Sequence, residues 1–243
     1  ELERMRDAGR LVGEVLTELS ALVGPGVTTG ELDAVAERRI RQAGATPAFK
    51  GYHGYPATIC ASVNDEVIHG IPSDRRRLDE GDIVSIDMGA KLDGYFGDSA
   101  VTVPVGEISE EAKRLLKVTE ESLELAIKQA RPGNRLFDIC GTVERHVVSN
   151  GFTIVREFVG HGIGTQMHEE PQVPNYIDRR NENPRLKEGM VLAIEPMLTL
   201  GDQSNHQWDD GWTVLTNDGS RCAQFEQTLV VEKDGARILT PLE

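Results

Sequence analysis

The sequence predicts a mixed α/β (α+β) domain made of two related halves, each a pair of helices followed by a strand hairpin. Three observations predict it: paired stretches of helical periodicity, two apolar strands that each end in a carboxylate, and a correspondence between the halves that keeps these features in step. At 243 residues the chain is long enough for one large domain with a buried core, 1–243, whose halves divide at about 1–105 and 106–243.

The elements follow in order. Apolar residues recur at helical spacing from Glu3 to Leu22 and stop at Gly24-Pro25-Gly26. Thr28, with Glu31 three residues on, forms a capping box for a helix running to about Gly44. Asp82 to Met88 reads as a buried strand, Asp93-Gly94 supplies turn chemistry, and Tyr95 to Val103 runs back. In the second half Ser109 caps a helix through about Ala130, ended by Pro132-Gly133, and a further helix reaches about Asn150. The stretch from about Leu200 to Trp212, rich in Asp and Asn, predicts an exposed hairpin loop.

Setting Pro25 on Pro132 places Gly26 on Gly133, Glu31 on Asp138, Glu37-Arg38 on Glu144-Arg145 and Gly44 on Gly151. One residue of slip later, the run from Glu80 to Asp87 matches the run from Glu188 to Glu195. A second strand in each half also carries a carboxylate, Asp98 in one and Glu226 in the other. Such a repeat implies pseudo-two-fold packing with four carboxylates meeting at the centre.

A turn centred on Leu92-Asp93 puts Asp87 directly opposite Asp98, whereas a turn at Asp93-Gly94 makes Asp98 its diagonal neighbour. Either register points both carboxylates to one side of the sheet. Like charges opposed across strands destabilise, and burying them unpaired costs far more; a bound divalent cation is the natural compensation. Three of the six histidines, His69, His161 and His168, lie in or beside glycine-rich or turn-like settings, and the glycines on both sides of His161 permit close backbone approach. Two Asp, two Glu and one His make an oxygen-rich set suited to manganese, iron, cobalt or zinc. Calcium is disfavoured, because no loop has EF-hand spacing.

Composition excludes other classes. A net charge of −14, with no basic cluster beyond Arg75-Arg76-Arg77, argues against nucleic-acid binding. No apolar run is long enough to span a bilayer. The polar N-terminus has no signal-peptide pattern and no initiator Met, so the chain is read as trimmed. Cys60, Cys140 and Cys222 are odd in number and widely spaced, which fits a reducing cytoplasm. Cys60 has no His at a recognisable spacing and is not read as a nucleophile.

The blocks Gly51-Tyr-His-Gly-Tyr-Pro56, Val67-Ile-His-Gly-Ile-Pro72, Gly81-Asp-Ile-Val-Ser-Ile-Asp87, Gly94-Tyr-Phe-Gly-Asp98, Val159-Gly-His-Gly-Ile-Gly164, Ala193-Ile-Glu-Pro-Met197, Asp210-Gly-Trp-Thr213 and Gln224-Phe-Glu-Gln-Thr228 occur in order along essentially the whole chain. Jointly they resemble the type I methionine aminopeptidases. The resemblance implies a pita-bread fold, a single catalytic domain and removal of the N-terminal methionine from nascent polypeptides whose second residue is small. It implies two divalent ions held by Asp87, Asp98, His161, Glu195 and Glu226. Asp98 and Glu226 would bridge them, His161 and Glu195 would complete the tighter site, and Asp87 would complete the second.

By the same resemblance, His69 and His168 contact the substrate near the scissile amide and Glu195 shuttles the proton. Tyr52, Tyr55, Cys60 and Trp212 line the pocket for the methionine side chain; Phe49 and Met167 sit where relatives vary. Gln227 departs from the pattern, since many relatives place His there, and modest tuning is expected. Type II relatives carry an insertion between the positions of His161 and Glu195 for which this chain has no room. The expected partner is the N-terminal peptide of a nascent chain, with contact to the ribosome left open, no nucleic acid, no membrane and a monomeric state. Two other readings are an X-Pro aminopeptidase or prolidase of the same fold, which usually carries an extra N-terminal domain, and a metal-free binding module.

Overall fold

Four helices form where apolar periodicity and capping chemistry place them. The structure is a computed structural model describing residues 1–242. Helix α1 spans Leu2–Leu22, α2 Thr29–Gln42, α3 Glu110–Ile127 and α4 Leu136–Ser149. At the start of α2 the Thr28 hydroxyl accepts from the Glu31 amide (3.2 Å), and the Glu31 carboxylate accepts from the Thr28 amide (2.7 Å). Such a cap contributes about 1 kcal/mol. Asp138, the residue matched to Glu31 by the repeat, takes the Arg135 amide at 2.7 Å in the same way.

Matched glycines also share a left-handed backbone: φ is +93° at Gly26 and +95° at Gly133, +91° at Gly81 and +87° at Gly189. Helices α2 and α3 end short of Gly44 and Ala130. There, i→i+3 bonds such as Gly44 N–H to Arg41 carbonyl and Ala130 N–H to Ile127 carbonyl tighten the last turn.

The principal sheet has nine antiparallel strands. Across it run Thr46–Pro47, Ile83–Leu92, Tyr95–Pro104, Glu226–Glu232, Val191–Ile194, Gly160–Gly162 and Glu169–Val173. Ile59–Val63 also pairs with Ile83–Leu92, and Gly235–Ile238 with Glu226–Glu232. The helices pack against this curled sheet. Leu16 and Leu19 of α1, Leu32 and Ile40 of α2, Leu115 of α3 and Ile139 of α4 share one apolar cluster with Ile59, Ile86 and Met88 of the strands. Each such fully buried side chain stabilises by about 1.5–3 kcal/mol relative to exposure. Ile83 to Ala90 is buried on both faces, so the one charged residue inside it, Asp87, is largely withdrawn from solvent.

The first hairpin closes at Leu92–Tyr95, with Asp93 (φ +48°) and Gly94 (φ +88°) as its two turn residues. Positive φ at both positions is the type I′ geometry that fits strand twist. Of the two registers the sequence allows, the structure therefore takes the diagonal one: Asp87 lies opposite Ala100, and Asp98 opposite Gly89.

The second half is not a tight hairpin. After Ile194 the chain leaves the main sheet; Met197–Thr199 pairs with Cys222–Gln224 and with Thr153–Ile154 in a separate three-stranded sheet. Between them Asn205–Gln207 and Val214–Thr216 form the hairpin expected near 200–212, with Trp208 53% exposed. No helix among the described residues is long and apolar enough to cross a membrane.

Candidate metal centre

Strand register alone brings the acidic residues together. Residues directly opposed across antiparallel strands, and residues two apart on one strand, point to the same face. Asp87 opposes Ala100, and Ala100 opposes Glu226. Asp98 is two residues from Ala100, so Asp87, Asp98 and Glu226 share a face. Gln227 opposes Ile194, and one more step along that register sets Glu195 beside Glu226. His161 opposes Ala193, two residues before Glu195. All five residues, from four strands and one strand end, thus converge on one face, each between 2% and 7% exposed.

The side-chain geometry follows. One ligating atom each from Asp98, His161 and Glu226 lie within 4.8 Å of one another. His161 Nε2 is 3.6 Å from Asp98 Oδ2 and 3.9 Å from Glu195 Oε1. The other ring nitrogen, Nδ1, is 2.8 Å from the Gly162 carbonyl oxygen. A carbonyl can only accept, so Nδ1 is the donor here, and Nε2, the nitrogen turned toward the carboxylates, is the one free to ligate a metal. Asp87 stands to the side, where Gln224 Nε2 donates to its Oδ2 at 3.4 Å.

Burial first, then the neighbouring Asp98 charge, raises Asp87 well above the usual carboxylate range, against a lowering contribution from Gln224. Glu195 is raised by burial and then by Asp87 and Asp98; Glu226 is raised by burial and then by Asp98, Glu195 and Asp87. Asp87 Oδ1, Asp98 Oδ1 and Glu226 Oε1 are buried with no hydrogen-bond partner. Buried polar atoms are ordinarily satisfied. Three carboxylates with orphaned oxygens, on the sheet face that also carries His161, make up a donor set that fits hard to borderline divalent cations.

Beside this floor lies a cavity of about 290 Å³ whose lining includes Phe49, Tyr52, Tyr55, Cys60, His69, Met167, His168 and Trp212. Cys60 opposes Asp87 on the adjoining strand. Burial, and next the Asp87 charge, lifts its thiol well above the usual range, so it contributes surface rather than a thiolate. The Tyr55 hydroxyl donates to the Ile59 and Gly70 carbonyls, both at 3.0 Å, which fixes its ring edge-on to Trp212 at 5.1 Å. Trp212 is held by Asp210, whose carboxylate accepts from the Trp212 and Thr213 amides (each 2.8 Å) and the Thr213 hydroxyl (2.6 Å).

His69, at a left-handed φ of +61°, stands edge-on to Phe158 (5.6 Å) and Trp212 (6.2 Å). Burial, then the nearby His168, brings its pKa down to about 4. His168 is lowered too, by burial and next by His161, and its Nδ1 lies 2.8 Å from the Tyr52 hydroxyl.

His53, Ile68, Phe158 and Val159 also line the cavity, and the sequence reading did not single them out. Phe158 and Val159 run directly into Gly160-His161, a proximity that could have pointed to them. Gln224 lies two residues before Glu226, a spacing that could have signalled its contact with Asp87. Asn175, whose side chain donates to the Glu195 carbonyl at 3.0 Å, has no local signal.

Residues 3–233 match the model of metallopeptidase family M24. The chain belongs to this family. Methionine aminopeptidase 1 of Bacillus subtilis is 52% identical over 240 residues, covering 99% of this chain and 96% of that protein. The crystal structure of methionine aminopeptidase from Thermotoga maritima superposes with a TM-score of 0.96 at 45% identity, covering 99% of this chain and 96% of that one. The prolidase from Pyrococcus horikoshii matches with a TM-score of 0.81 at 25% identity, and only 62% of its chain is covered. This M24 metallopeptidase thus has the pita-bread fold, carries a candidate metal-binding cluster, and stands nearer the methionine aminopeptidases than that prolidase.

Proposed function

We propose that the chain is a dinuclear metallo-exopeptidase that removes the N-terminal methionine from polypeptides with a small second residue. The observation that carries this reading is the juxtaposition of five buried ligating groups with an apolar, aromatic-walled cavity. Asp98, His161 and Glu226 would hold one divalent ion together with Glu195. Asp87 would complete the site for a second, with Asp98 and Glu226 shared. Manganese, iron, cobalt and zinc all suit this donor set. When bound, such ions supply Lewis acidity that activates water and polarises a carbonyl.

The protein's own groups perform the rest. The methionine side chain packs against Tyr55, Cys60 and Trp212, with Phe49 and Met167 adding apolar surface. Glu195, at the edge of the centre, would take a proton from the attacking water and return it to the leaving amine. Were Nδ1 to accept from the Tyr52 hydroxyl, 2.8 Å away, neutral His168 would carry its proton on Nε2 and could hydrogen-bond the scissile carbonyl as negative charge develops. His69, neutral down to about pH 4, hydrogen-bonds the scissile amide. The substrate would be the N-terminus of a newly made chain, met in the cytoplasm.

Initial rates on a Met-Ala peptide and an Ala-Pro peptide, after reconstitution with manganese(II) or cobalt(II), test the assignment. Selective cleavage after methionine is expected. Faster cleavage of the Ala-Pro peptide would assign the site to X-Pro chemistry instead.

A further inference from the structure

The strand Glu226–Glu232 changes partner at Thr228. Up to Gln227 it pairs with Tyr95–Pro104, through Glu226–Ala100 and Gln227–Ser99. From Leu229 onward that side pairs with Gly235–Ile238. Thr228 stands at the fork, directly in line with Asp98 in the register of the first pairing. Its backbone has already turned to the C-terminal segment: its amide donates to the Thr240 hydroxyl (3.0 Å) and its carbonyl accepts from the Leu239 amide (2.8 Å). The backbone of Asp98 thereby has no ladder partner on this strand.

The Thr228 side chain fills that gap. Its hydroxyl donates to the Asp98 carbonyl at 2.7 Å and accepts from the Asp98 amide at 3.3 Å. Both backbone groups of Asp98 are thus held by one buried hydroxyl, 1% exposed as a residue. Behind it Thr240, fully buried, donates to Gln227 Oε1 at 2.7 Å and fixes the fork from the far side. Helix α1 closes over the same place. A Cβ at Gly9 would lie 2.3 Å from the Leu239 carbonyl oxygen, and one at Gly97 would lie 2.8 Å from the Gly9 Cα.

We infer that Thr228 is a positioning residue for the metal centre: its hydroxyl, backed by Thr240, fixes the backbone of Asp98 and with it the carboxylate nearest His161. The inference rests on the reading of Asp98 as a metal ligand. Groups that orient a ligand without touching the ion typically change metal affinity by about 10–100-fold when lost. Threonine suits the role because it alone among strand-favouring aliphatic side chains carries a hydroxyl.

The test is calorimetric titration of manganese(II) into chelator-treated protein, with thermal unfolding of the same metal-free samples. Thr228→Val, which keeps the shape and removes the hydroxyl, should weaken manganese binding by about 10–100-fold, while Thr228→Ser should restore it to within about threefold of the parent. A Thr228→Val protein that melts earlier but binds manganese as the parent does would overturn the inference and leave the residue a purely structural one. Should that variant not fold, Thr240→Val serves: it leaves the Thr228–Asp98 contact and removes its support. A loss of affinity above about threefold supports the positioning role, and unchanged affinity contradicts it. Absence of manganese binding by the parent protein would sink the metallopeptidase site itself, an outcome distinct from unchanged affinity in the variants.

Discussion

Two sides of one cavity are built by different means. The acidic floor of Asp87, Asp98, Glu195, Glu226 and His161 stands on or beside sheet strands, where register fixes each side chain's direction. The aromatic wall stands largely on loops: His53 and His69 at positive φ, Trp212 in a turn organised by Asp210, and Tyr52 37% exposed. Groups that must sit together against their own repulsion need a scaffold that many neighbours determine. Groups that recognise a side chain need only shape, and a few hydrogen bonds suffice. Changes to the floor should therefore abolish function, whereas changes to the wall should tune it.

The largest effect is expected from Asp98→Asn or His161→Ala. Either should reduce turnover of a Met-Ala peptide by more than the roughly 100-fold upper range for an orienting partner, with metal content falling in parallel by elemental analysis. Trp212→Ala breaks the wall instead. It removes apolar burial worth about 1.5–3 kcal/mol, so kcat/KM for methionine peptides should fall roughly 10- to 150-fold, with metal content unchanged. A Trp212→Ala protein that lost its metal would erase the distinction between floor and wall.

Proton linkage sharpens the comparison, because the two sides titrate in opposite senses. Asp87, Glu195 and Glu226 have folded pKa values raised above their ordinary 3.8 and 4.5. Between those ordinary values and the raised ones the folded state holds more protons than the unfolded state. In metal-free protein, their contribution to stability thus declines as pH rises through that window. Bound cations relieve the repulsion, so the gain in Tm on adding manganese(II) should be larger at about pH 8 than at about pH 5. An equal or smaller gain at the higher pH contradicts the placement of these charges.

His69 works the other way. Its pKa drops from 6.5 to about 4 on folding, so between those values the unfolded state binds more protons. Stability from this group is present above pH 6.5 and lost as pH falls toward 4. His69→Asn should flatten that acid-side loss in thermal melts, the smallest of these effects, while leaving metal content intact.

Much of the floor was legible because strands have a period of two. Once Asp87 is read as ending an apolar run and Asp93-Gly94 as a turn, Asp98 has to return to the same face. The type I′ geometry at those two residues then selects one of two registers that sequence alone left open. The repeat was legible in the same way, because Glu31 and Asp138 perform one capping task. What could not be read depends on contacts distant in sequence. The support that Asn175 gives the Glu195 carbonyl spans 20 residues, and the contact of Gln224 with Asp87 spans 137. The break after Ile194 does have a local signal in Pro196, which cannot donate to a ladder, but the new pairing of Met197–Thr199 with Cys222–Gln224 is set far along the chain. Gln227, singled out as a departure from its relatives, turns its amide oxygen to Thr240.

The central claim is that four buried carboxylates and one imidazole exist in this arrangement to hold a pair of cations. Titrating manganese(II) into chelator-treated protein while following Met-Ala cleavage tests it most directly. The account predicts negligible cleavage without metal, two binding events per chain, and activity that returns as the sites fill. Full cleavage by metal-free protein, or no binding of manganese, cobalt, iron or zinc, would contradict it.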